Sequence, residues 1–86
     1  MVSPTNVETA DEYIHVRFRD PDQFEEIRTP DWAEQPAHSV SSGSEVRMGK
    51  ERNDDDWKIA AVLVKKNVGE DKAAEQATEI AEKIEF

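Results

Sequence analysis

The pattern of apolar and polar positions between residues 44 and 66 predicts a β-hairpin. In its first half, Val46 and Met48 alternate with polar residues, which is typical of a strand with one buried face. Its second half, residues 57–66, contains the longest apolar run in the chain and is apolar on both faces. Such a strand is usually central in a sheet or covered on both sides. The polar residues 53–56 between the halves favour a turn, because Asn and Asp tolerate left-handed backbone geometry.

The second strand of this hairpin presents two alternating sets of side chains. The set that we expect to face the core is Trp57, Ile59, Ala61 and Leu63. The set that we expect on the opposite side is Lys58, Ala60, Val62, Val64 and Lys66.

Residues 12–19 alternate in the same way and predict a further strand, with Ile14, Val16 and Phe18 on its core side. Residues 20–23 then indicate a helix start, because Asp20 can cap it and Pro21 suits the first helical position.

Proline and glycine positions delimit the remaining predicted elements. Because Pro30 disfavours helical geometry in the residue before it, the helix that starts near residue 20 is expected to span only about two turns. A second short turn anchored by Trp32 follows, and then a loop over residues 35–44. After Gly69, one apolar stripe at helical spacing predicts a C-terminal amphipathic helix that packs on the sheet. Its members are Ala73, Ala77, Ile80, Ala81 and Ile84.

Together these elements predict an α+β fold in the order β-α-β-β-α. It has a three-stranded, mostly antiparallel sheet, with the C-terminal amphipathic helix and the short helical turns on one face. Residues 12–86 are expected to form a single domain, and residues 1–11, which show no period, a disordered N-terminal tail. A domain of this size buries only about 60–65% of its unfolded surface, so association is a natural way to bury more.

No predicted element covers the other face of the sheet. In this register that face carries five bases and one acid around a Tyr/Val patch, although the chain as a whole has nearly two acids for each base. This segregation of charge predicts a contact surface. The candidate binding residues are Tyr13, His15, Arg17, Arg19, Arg47, Lys58, Val62 and Val64.

The net charge of the chain limits the partners that we expect and indicates a habitat. Twenty acidic and eleven basic residues give a formal charge of −9, which argues against generic binding to duplex DNA. At molar salt the Debye length is only about 3 Å, so a surface this acidic loses most of its self-repulsion while its carboxylates stay hydrated. The composition therefore favours adaptation to a salty cytoplasm.

The chain also resembles the small, acidic, uncharacterised proteins of halophilic archaea. The resemblance rests on the overall composition and on two segments, 17–24 (RFRDPDQF) and 55–59 (DDWKI). It implies a habitat but no activity, cofactor or site residue.

The sequence contains no constellation that predicts catalysis, a metal or a cofactor. It has no cysteine, and His15 and His38 are its only histidines, so a zinc site with three or four ligands is not specified. The acidic run 54–56 lacks the alternating ligands and the glycine of a calcium loop. Neither a run of about 20 apolar residues nor a signal-peptide pattern is present, so we expect a cytoplasmic protein that does not enter the membrane.

Two functional hypotheses follow. The first is a non-catalytic interaction module adapted to high salt, which self-associates as a homodimer, or binds a protein partner, through the open sheet face. The alternative is a binder of single-stranded nucleic acid or nucleotides that uses the basic residues of the same face.

Overall fold

The computed structural model describes residues 3–52 and 56–85. Within these residues the chain forms five β-strands, two α-helices and two 3-10 turns, and the turns span Pro21–Gln23 and Lys66–Val68. The strands are β1 (Asn6–Ala10), β2 (Tyr13–Arg17), β3 (Glu26–Arg28), β4 (Glu45–Lys50) and β5 (Trp57–Lys65). The helices are α1 (Asp31–Val40) and α2 (Glu70–Glu85).

All five strands belong to one antiparallel sheet in the order β1-β2-β5-β4-β3. The predicted α+β class, the antiparallel sheet and the C-terminal helix are thus confirmed. The predicted number of strands is wrong, because the described sheet has five strands rather than three.

The first additional strand, β1, lies within the segment that was predicted to be a disordered tail. It pairs with β2 along its whole length, and its Val7 packs against the core. The Thr9 hydroxyl donates a hydrogen bond of 2.7 Å to a carboxylate oxygen of Glu70 at the start of α2. Asp11, in a left-handed conformation (φ 54°), lies in the two-residue turn between β1 and β2. Non-local contacts therefore hold a segment whose own sequence shows no strand period.

The second additional strand, β3, replaces most of the predicted two-turn helix. The helix start is real, because the Asp20 carboxylate accepts a hydrogen bond of 2.9 Å from the Asp22 amide. However, the helix continues for only one 3-10 turn, and the backbone is already extended at Phe24. The chain then pairs with the outer edge of β4.

Helix α1 occupies the region that was predicted as a short turn and a loop. It spans ten residues in spite of Pro36 in its interior, and it buries Ala33 and Ala37 in the core. Trp32, the predicted anchor of this region, is 54% exposed, so that prediction is wrong. Ala33 and Ala37, rather than Trp32, anchor this helix in the core.

Both helices pack on the same face of the sheet and form one core with it. Ala73, Ala77 and Ala81 of α2 are fully buried, as expected for the predicted apolar stripe. No helix in the described part of the chain is long and apolar enough to cross a membrane.

A β-bulge in β5 reverses the predicted orientation of the second half of this strand. Arg47 pairs with Ala61 and Met48 pairs with Ile59, so Ala60 has no partner on β4. Because side chains alternate with a period of two, one extra residue turns every later side chain to the other face. Val62 and Val64 therefore face the helices, with 0% of their surface exposed, whereas Ala61 and Leu63 lie on the opposite face. The prediction that Val62 and Val64 belong to the open face is corrected accordingly.

Candidate functional site: the open face of the sheet

The face of the sheet opposite α1 and α2, called the open face below, is organised in cross-strand rows. Arg17 on β2 and Arg47 on β4 both pair with Ala61 on β5, so the two arginines flank one alanine. The next row along places His15 and Glu45 on either side of Leu63.

The structure brings most of the predicted binding residues together on this face. Arg19 lies just beyond β2, where its Nη1 atom donates a hydrogen bond of 2.7 Å to the Ile59 carbonyl oxygen. Val62 and Val64 are excluded because they are buried under the helices. The predicted residues that the register places on the open face are Tyr13, His15, Arg17, Arg47 and Lys58.

The open face contains a concave site of about 150 Å³, called the arginine pocket below. The side chains of Arg17, Arg19 and Arg47 surround it. Its remaining lining residues are apolar, namely Pro21, Ile27, Ala60 and Ala61. A charged rim around an apolar floor is the arrangement that binding sites use to orient a ligand through a few polar groups.

The bulge and the two alanines create this concavity. Adjacent strands lie about 4.8 Å apart, so the backbones of Arg17 and Arg47 are separated by about 10 Å across Ala61. A methyl group at the centre of that row leaves a hollow that a larger side chain would fill. The irregular register at Ala60 allows both alanines to line the same hollow.

Backbone hydrogen bonds hold the third arginine in place. The amide groups of Phe18 and Arg19 both donate to the Ala60 carbonyl oxygen, at 2.9 and 3.2 Å. The chain after β2 is therefore tied to the bulge itself, and the guanidinium group of Arg19 is partly buried beside the pocket.

Two of the arginines keep most of their charge available to a ligand. Arg47 is exposed and forms no hydrogen bond or ion pair with any residue that the structure describes. A carboxylate oxygen of Glu8 lies 3.7 Å from Nη1 of Arg17, and the two side chains are 59% and 40% exposed, respectively. An exposed pair of this kind contributes about 0–1 kcal/mol and is readily exchanged for another anion.

Two lysines of the open face have partners. The Lys65 ammonium group lies 4.8 Å from the centroid of the Tyr13 ring, in a cation–π contact. The Lys58 ammonium group lies 3.4 Å from a carboxylate oxygen of Glu51. Lys65 was not predicted for this face, because only the bulge brings it there. One side of the Tyr13 ring is covered, so Tyr13 is a poor platform for stacking a base.

The histidines and carboxylates of the described part of the chain do not form a metal site. No three His, Asp or Glu side chains in residues 3–52 and 56–84 are grouped so that they could hold a metal ion. His15 lies on β2, whereas His38 lies on α1, with its Nε2 atom 3.1 Å from the Ser44 carbonyl oxygen. Of the predicted polar turn at residues 53–56, residues 53–55 lie outside the described part of the chain.

Comparison of the chain with protein-family models, curated proteins and solved structures gives no significant match.

Proposed function

We propose that this chain is a non-catalytic binding module, adapted to high salt, whose open face binds the phosphate groups of a nucleotide or a single-stranded nucleic acid. The observation that supports it is the arginine pocket, which concentrates three permanent positive charges around a hollow in a protein of charge −9. The charge of this pocket is opposite in sign to the net charge of the protein, and binding of a phosphate ligand would account for it.

The choice of arginine supports the same proposal. A guanidinium group is planar, weakly hydrated and always charged, and it can donate two parallel hydrogen bonds to one phosphate. At molar salt the attraction between exposed point charges is screened over about 3 Å, but directional hydrogen bonds at contact distance persist. Arginine is therefore better suited than lysine to anion binding in a salt-rich solvent.

The burial of Val62 and Val64 removes the main support for a homodimer that stacks two open faces. The apolar centre of that dimer would now consist of Ala61 and Leu63, and Leu63 is only 6% exposed. A two-fold axis through this region would also place Arg17 and Arg47 of one copy close to the same arginines of the other. Like charges at the centre of an interface oppose association.

Charge reversal on the open face tests the proposal. We expect the double variant Arg17→Glu/Arg47→Glu to weaken binding of a fluorescent oligothymidylate at least 10-fold, because two phosphate contacts become repulsive. Fluorescence anisotropy at about 0.15 M KCl and above is the measurement. Log K should fall with log [KCl], with a slope of about −0.7 for each phosphate that the arginines neutralise.

The choice of salt and the control variant make this experiment specific. At about 0.01 M salt the Debye length of about 30 Å exceeds the 23 Å width of the molecule, so the ligand would be repelled by the total charge of −9. The matched control is Lys72→Glu/Lys83→Glu, which changes the charge equally at two exposed positions of α2. Equal losses in both variants, or equal competition by polyglutamate, would contradict the proposal.

A second candidate function is association between copies of this chain, which charge complementarity favours. The exposed side of α2 carries Glu75, Glu79 and Glu82, and this acidic surface can meet the open face of another copy. This candidate predicts a solution mass above that of the monomer at about 0.15 M KCl, which light scattering would detect. The mass should return to that of the monomer in Arg17→Glu/Arg47→Glu. A monomeric wild-type protein at millimolar concentration would exclude this candidate.

A further inference from the structure

The arginine pocket has the size and charge of a site for one small anionic group. A cavity of about 150 Å³ can accommodate a benzene ring, and a phosphate group is of similar size. Pockets that enclose whole drug-sized ligands have volumes of about 300–1,000 Å³. The pocket can therefore hold the phosphate of a ligand, whereas the remainder of the ligand must lie outside it.

From this geometry, and on the basis of the proposed function, we infer that the pocket binds a terminal phosphomonoester, such as the 5′-phosphate of a nucleotide or of a nucleic-acid strand. A phosphomonoester carries a charge of about −1.5 to −2 at pH 7 and has three acceptor oxygens. An internal phosphodiester has one negative charge, and its chain continues on both sides. Arg17 and Arg47, which flank the hollow, match the monoester in charge and can each donate two parallel hydrogen bonds to its oxygens.

The three arginines reach the pocket from different parts of the fold, which favours a group that accepts hydrogen bonds from several directions. Arg17 and Arg47 come from the strands on either side of Ala61, and Arg19 comes from the segment that follows β2. The hydrogen bond from Arg19 to the Ile59 carbonyl restricts its side chain before any ligand binds. Such preorganisation reduces the entropic cost of binding.

The walls of the pocket limit what can follow the phosphate. Pro21 and Ile27 contribute apolar surface beside the arginines, and Ile27 is 41% exposed. They offer van der Waals contact but no side-chain hydrogen-bonding group that could recognise a base. Recognition therefore depends on the phosphate end and not on the base sequence.

Paired ligands test this inference. We expect a 5′-phosphorylated oligothymidylate to bind at least 10-fold more tightly than the same strand with a 5′-hydroxyl, in anisotropy titrations with a 3′ label. Thymidine 5′-monophosphate should compete with the labelled strand, whereas thymidine should not. Inorganic phosphate is tested separately as a third competitor. Competition by inorganic phosphate equal to that by the nucleotide would show that the phosphate alone is recognised, in agreement with the inference.

Two variants connect the effect to the pocket. Arg47→Lys keeps the charge but loses the two-pronged guanidinium, so the advantage of the 5′-phosphate should fall about 10-fold while binding of the 5′-hydroxyl strand changes little. Ala61→Leu fills the floor without a change of charge and should have the same selective effect. The control Lys72→Ala should leave both affinities unchanged.

The possible failures of the two proposals are distinguishable. Equal binding of the phosphorylated and unphosphorylated strands, with both sensitive to Arg17→Glu/Arg47→Glu, would overturn the phosphomonoester site but leave the proposed function intact. An absence of binding to any phosphate ligand by the folded protein would overturn both. Competition by a dicarboxylate as effective as that by thymidine 5′-monophosphate would also overturn the assignment of the pocket to phosphate.

Discussion

Substitution of Val64 by Glu is expected to unfold the protein at neutral pH. Val64 is fully buried between Ile14 of the neighbouring strand and the helices. A carboxylate at this position would lose its hydration without gaining a charged partner, and changes of this kind cost more than about 4 kcal/mol. At about 0.05–0.15 kcal/mol per residue, a chain of 86 residues is stable by about 4–13 kcal/mol. Circular dichroism during urea unfolding should show loss or near-loss of the native baseline.

The matched control for this experiment is Ala61→Glu on the same strand. In the observed register the new carboxylate lies on the open face between Arg17 and Arg47, so the free energy of unfolding should change by no more than about 1 kcal/mol. Without the bulge the two positions would exchange faces, and Ala61→Glu would be the damaging substitution. A folded Val64→Glu variant together with an unfolded Ala61→Glu variant would therefore contradict the observed register.

The elements that the sequence predicts well are those with a strong period of their own. β2 and α2 each carry several apolar residues on one face, and burial of that face largely determines the structure. β1 and β3 have five and three residues, with little alternation to detect. They form because the edges of the sheet provide hydrogen-bond partners, and such non-local partners are not visible in a local pattern.

The bulge at Ala60 explains why the two valines were assigned to the wrong face although the arginines were assigned correctly. β5 is apolar on both faces, so its alternation contains no signal for the position at which the register shifts. Arg17 and Arg47 belong to strands whose own alternation is clear, and their orientation does not depend on β5. The pocket between them was not predictable, because it requires the hydrogen bonds from Phe18 and Arg19 to the Ala60 carbonyl.

The contact between Phe24 and Gly49 leads to the second prediction with a large expected effect. A Cβ atom at Gly49 would overlap the Phe24 ring, which packs directly on this glycine. Gly49 does not have a positive φ, so its backbone conformation accepts alanine. We therefore expect Gly49→Ala to destabilise the protein by about 1–3 kcal/mol through overpacking alone. For a domain of this size, each kcal/mol lowers the melting temperature by about 4–8 °C.

A double-mutant cycle separates this overlap from other effects of the substitution. Phe24→Ala alone should cost about 3–5 kcal/mol, because a buried ring is lost. In the Phe24→Ala background, Gly49→Ala should be neutral or stabilising by up to about 1 kcal/mol, because alanine loses less backbone entropy than glycine in a strand. The two effects are thus expected to be strongly non-additive, and thermal unfolding of the four proteins measures the coupling. Additive costs would show that Phe24 does not pack on Gly49.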